Sequence, residues 1–82
     1  MSSKINQISL AELVAGEHAM VRSFTGGRAV TNRLALLGFT PGAEIDMTQN
    51  YVHGPLIVTV RGTRVALGRG EAAQVLVERC TE

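Results

Sequence analysis

From residue 43 the chain alternates. Ala43, Ile45 and Met47 are apolar where Glu44, Asp46 and Thr48 are polar, the two-residue period of a strand with one buried face. Leu56, Val58 and Val60 repeat the alternation after the Gly54-Pro55 break, and Gly62-Thr63 predicts a Gly-X hairpin loop leading into "RVALG". These last two runs therefore pair as an antiparallel hairpin. After Gly70 a short "EAA" turn precedes a final strand, "QVLVER". Upstream, "EHAMVRSF", residues 17 to 24, reads as a strand stopped by Thr25-Gly26-Gly27. Val30, Leu34 and Leu37 then fall at i, i+4 and i+7, which predicts a helix over about 28–37 with that stripe against the core. Ser9 and Glu12 have capping-box spacing, so a short N-terminal helical turn is expected, ending near Gly16.

The stretch "LLGFTPGAEI", residues 36 to 45, joins helix to strand. Gly38 stands where a left-handed residue would end the helix, and Phe39 after it can close hydrophobically on Leu34, the arrangement of a Schellman ending. Thr40 before Pro41 is biased toward extended backbone, and Pro41-Gly42 suits the central pair of a type II turn. Gly38, Pro41 and Gly42 are thus structural turn residues. The count is about five short antiparallel strands with one inserted helix, and a small, partly open β-barrel accommodates it.

Length and composition narrow the function. At 82 residues the chain makes one domain over 1–82, with 1–4 as a flexible flank, and its core is small. Net charge is +1, and seven arginines lie singly between Arg22 and Arg79, giving no basic run to neutralise phosphates. The lone Cys80 cannot form an internal disulfide and "MSSKINQ" lacks the apolar stretch of a signal peptide, which points to a cytoplasmic setting. No apolar run approaches the roughly 18 to 20 residues that span a bilayer. Any membrane role would come through a partner.

Taken in order, "SLAELVAGEHAMV", "RLALLGFTPGAEIDM", "GPLIVTV" and "VALGRGEAAQVLVE" resemble the ferrous iron transport protein A (FeoA) family. The resemblance implies an SH3-like barrel. It also implies a cytosolic accessory of bacterial ferrous iron uptake, working by contact with FeoB, the GTPase-containing membrane permease, and recruited by it to the inner face of the membrane. The same barrel resembles the C-terminal domain of iron-dependent repressors. The alternative is therefore a metal-responsive or nucleic-acid-binding regulatory module.

The candidate chemistry is sparse. Cys80, His18 and His53 are spread along the chain without a catalytic signature, so no enzyme is expected. "GRG" at 68–70 precedes only 12 residues, too few for a dinucleotide-binding unit, and reads as a turn. Potential metal ligands are His18, His53, Cys80, Glu17 and Asp46, but no pair has a short ligand spacing. No cofactor is expected, and ferrous iron or another transition metal would bind only weakly. Met20 and Met47 sit on strand patterns and serve as core fillers. Three aromatics, Phe24, Phe39 and Tyr51, do not make a shelf for proline-rich peptides or unstacked bases, so no nucleic acid partner is expected. Partner contact is assigned to the helix flank, Ala29, Arg33 and Leu36, with Phe39 beside it. Short edge strands leave self-association open.

Overall fold

The computed structural model describes residues 7–51 and 53–80; the flank at 1–4 lies outside them. Six strands are formed, β1 Gln7–Ser9, β2 His18–Phe24, β3 Glu44–Asn50, β4 Leu56–Val60, β5 Thr63–Leu67 and β6 Val75–Arg79. Helix α1 covers Arg28–Leu36, and a single turn, α2, covers Arg69–Ala72. One antiparallel sheet runs in the order β1-β6-β2-β3-β4-β5. Its register shifts between Val21 and Ser23 and between Met47 and Gln49. Such bulges add local twist and help a sheet this small to curl around its own core.

Alternation decides what lies inside. On β3, Ile45 and Met47 are buried while Glu44, Asp46 and Thr48 are exposed; on β4, Leu56, Val58 and Val60 are buried. Leu10, Leu13, Leu34 and Phe39 close the ends of this core, and no polar or charged side chain is buried among the described residues. Each fully buried leucine or phenylalanine of this kind contributes roughly 1.5 to 3 kcal/mol.

The Schellman ending is formed. Gly38 has φ 106°; Phe39 N–H donates to Leu34 O and Gly38 N–H to Ala35 O, each at 3.0 Å. Ala43 N–H closes onto Thr40 O at 2.9 Å with Gly42 at φ 92°, as the type II turn requires.

Four local expectations need correction. The sheet has six strands because the three residues of β1 pair with β6, a strand too short to show a period in the sequence. The β4–β5 loop is Arg61-Gly62, not Gly62-Thr63. Both loop residues have positive φ, 51° and 79°, as a type I′ hairpin demands, and Thr63 is the first paired residue of β5. Ser9 Oγ accepts from Ala11 N–H at 3.1 Å, but Glu12 does not complete the capping box. The turn is a 3-10 turn over Leu10–Glu12, held instead by Asn50, whose Nδ2 donates to Ala11 O at 3.1 Å and Leu13 O at 2.6 Å. Finally, Leu37 does not cover the core as Leu34 does; it is 40% exposed because the chain leaves the helix there and the turn brings Phe39 inside instead.

Candidate functional site

Ending α1 at Leu36 has a consequence at the surface. The last helical residues, Ala35 and Leu36, face the β4–β5 hairpin across an open groove of about 540 Å³ whose far side includes Val60, Thr63 and Val65. Arg61 spans its base. The guanidinium donates from Nε to Gly38 O at 3.3 Å and from Nη2 to Thr40 Oγ1 at 3.0 Å, so a cation sits just beyond the C-terminal end of the helix, where the helix dipole favours it. Leu36 stands at the rim with 88% of its surface exposed. An apolar side chain so presented, beside a second partly exposed leucine, offers a handle for another molecule.

The helix flank is partly as expected. Ala29 and Arg33 are exposed and Leu36 lines the groove. Arg33, however, is ion-paired with Glu71 of α2, which ties the helix to the turn before β6. Phe39 is not an interface residue: it is fully buried, because the Schellman geometry that makes it follow Gly38 also turns its ring onto the core beside Leu34. Gly38, Pro41 and Gly42 form the corner assigned to them.

A second group of polar side chains lies on the outer face of β6, β2 and β3. His18 is paired in register with Asp46, and Cys80 N–H donates to His18 O at 2.9 Å, so Cys80, His18 and Asp46 form one row across three strands. Glu78, Met20 and Glu44 form the next row. His18 Nδ1 is hydrogen-bonded to Asp46 Oδ1, and Nε2 lies 3.5 Å from Glu44 Oε1. The bond to Asp46 holds the imidazole above its ordinary value of 6.5, and Glu44 adds to that effect. Partial burial, followed by Glu44 and Glu78, pushes the Cys80 thiol up. Of the ligand types named from sequence, His53 is exposed in the loop before β4, and Glu17 is engaged by Arg79 at 2.8 Å. Glu44 was missed, since only strand register reveals it beside His18.

A curled antiparallel sheet that carries one helix between its second and third strands, with a groove at the helix end, is the architecture of an SH3-like barrel. The FeoA domain matches residues 8–79, and this chain belongs to that family. An Fe(2+) transport protein A of Methanocaldococcus jannaschii is 32% identical over 69 residues, covering 84% of this chain and 83% of the relative. The crystal structure of an iron uptake regulatory protein (FeoA) superposes with TM-score 0.87 at 34% identity, over 90% of this chain and 99% of that one. A FeoA of Stenotrophomonas maltophilia, crystallised with zinc and described as a prokaryotic SH3 domain protein, superposes with TM-score 0.76 at 37% identity, over 85% and 88% of the two chains. A manganese-dependent transcriptional repressor shares the fold at 15% identity and TM-score 0.85, with this chain spanning 45% of its length. No described helix is long and apolar enough to cross a membrane.

Proposed function

We propose that this protein is an accessory of ferrous iron uptake that acts by binding the cytosolic part of the FeoB permease through the groove at the end of α1. Membership of the FeoA family supports the transport role, and the observation that carries the binding role is Leu36, an 88% exposed leucine on a groove next to the sheet's β5 edge. Its work would be contact: the exposed leucine enters an apolar hollow of the partner while the fixed Arg61 corner holds the groove in shape. The alternative reading, a module of the repressor C-terminal type, has only shared fold behind it.

The test is direct binding of the purified chain to the isolated cytosolic region of FeoB from the same cells, by calorimetry, with and without guanine nucleotide. Saturable binding that weakens at least tenfold in Leu36→Glu supports the reading. Binding that is absent in all nucleotide states, or indifferent to Leu36, overturns it.

A further inference from the structure

The five residues of β5, Thr63–Leu67, form one margin of the sheet, with β4 on one side and no strand on the other. The hairpin decides which of its amides are free. A loop of Arg61 and Gly62 makes Val60 and Thr63 the closing hydrogen-bonded pair, and Val58 with Val65 and Leu56 with Leu67 repeat that phase at alternate positions. Arg64 and Ala66, between them, therefore turn N–H and C=O away from β4. No other backbone group takes these up among the described residues.

The pleat sorts the side chains around that edge. Thr63 and Val65 line the groove and Leu67 is buried, while Arg64 and Ala66 are exposed on the outer face. A strand laid beside β5 sends its own alternate side chains the same two ways. Those on the inner side enter the groove toward Leu36 and Val65, and those on the outer side stand next to Arg64.

Charge selects the occupant. Positions 47 to 70, which hold β4, β5 and their loop, contain no Asp or Glu, and neither do positions 25 to 43, which hold α1. The arginines in these stretches are Arg28, Arg33, Arg61, Arg64 and Arg69, and among the described residues only Arg33 is ion-paired. Arg61 and Arg64 thus stand beside the groove with no carboxylate of this chain to neutralise them. A second copy is a poor occupant, because its β5 brings another Arg64 to an edge that already carries one, and like charges on neighbouring strands repel. An acidic strand gains where the copy loses.

Resting on the groove reading for where the partner binds, we propose that β5 takes up an extended acidic segment of that partner as an added strand, with an apolar side chain in the groove and a carboxylate beside Arg64. Pairing with the Arg64 and Ala66 backbone supplies affinity, and the alternation of apolar and acidic residues supplies specificity.

The test uses two blocked seven-residue peptides, one alternating Glu with Val and one alternating Lys with Val, titrated into the isotope-labelled full chain and followed by amide chemical shift and hydrogen exchange. The Glu peptide should bind saturably and slow exchange at the Arg64 and Ala66 amides, and the Lys peptide should bind at least about tenfold more weakly. Ala66→Pro removes an outward N–H that β4 does not use and should abolish binding, while continued protection of the Val65 amide shows the hairpin intact. Arg64→Glu should reverse the preference between the peptides. Equal affinity for both, exchange unchanged at Arg64 and Ala66, or protection of those amides by concentrating the chain alone would overturn the proposal. Assay of the variants against the cytosolic region of FeoB separates the two readings: binding lost in Leu36→Glu but kept in Ala66→Pro and Arg64→Glu overturns the added strand and leaves the groove standing.

Discussion

Phe39 donates its backbone N–H to Leu34 O at 3.0 Å, and both side chains are fully buried in the same core. The helix and the turn that leads to β3 are therefore joined by a hydrogen bond between two residues whose side chains share one core. Leu34→Ala should lose about 2 to 4 kcal/mol through the cavity it leaves. Chemical denaturation gives the value directly, and a midpoint equal to the parent's would place Leu34 outside the core.

Gly38 tests the corner by another route. Its φ of 106° is open to glycine and strained for any other residue, and a Cβ there would lie 3.4 Å from Arg61 Cδ. Gly38→Ala should destabilise the protein by about 1 to 3 kcal/mol. Because Arg61 bridges Gly38 O and Thr40 Oγ1, the groove should also lose its shape. Partner affinity should then fall more steeply than the folded fraction does.

Leu36 is the contrasting case, two residues from Leu34 and 88% exposed. Leu36→Glu should change the thermal midpoint little, within about 0.5 kcal/mol in stability, and still abolish partner binding. Arg33→Ala is a suitable companion to it, where a charge reversal would not be. A glutamate at 33 would face Glu71, the present partner of Arg33, and would confuse repulsion within the fold with a lost contact outside it.

What could be read from the sequence was whatever a short stretch determines by itself. Gly38, Pro41 and Gly42 sit at positions where the backbone needs them, so the corner was legible, as was the alternation that buries Ile45, Met47 and Val58. Phe39 was misjudged because its two roles compete: the residue that closes a Schellman turn cannot also face outward. The Arg61-Gly62 loop was displaced by one residue, since arginine at positive φ has no signature in composition. The row of Cys80, His18 and Asp46 was invisible for a deeper reason. Side chains that act together are found in sequence by short spacings, and these three are joined only by strand register, with His18 and Asp46 28 positions apart.

Asn50 shows a similar long-range dependence in stability. Its amide holds the carbonyls of Ala11 and Leu13, on either side of the exposed Glu12, and so fixes the 3-10 turn that buries Leu10 and Leu13. Asn50→Ala removes both bonds from a part-buried position and should cost about 1 to 3 kcal/mol. Exchange of the Leu13 amide, which donates to Leu10 O at 3.1 Å, should accelerate by more than the global loss of stability accounts for.

Glu17 makes stability depend on acid. Its Oε1 accepts the Val14 N–H at 2.7 Å and its Oε2 accepts from Arg79 Nε at 2.8 Å. The backbone bond first, and the Arg79 guanidinium after it, hold the carboxyl below its ordinary value of 4.5. A group depressed on folding binds its proton more readily in the unfolded chain. Its contribution is therefore complete above about 4.5 and is lost as pH falls through the lower, folded value. With about a third of both side chains exposed, solvent screening limits that contribution to about 1 kcal/mol. Glu17→Gln should be less stable than the parent by that amount at pH 7, and the two proteins should converge as pH falls through the lowered value of the folded state. Denaturation midpoints of both across pH 3 to 7 measure the difference; a gap that stays constant over the range would mean that Glu17 acts through packing alone.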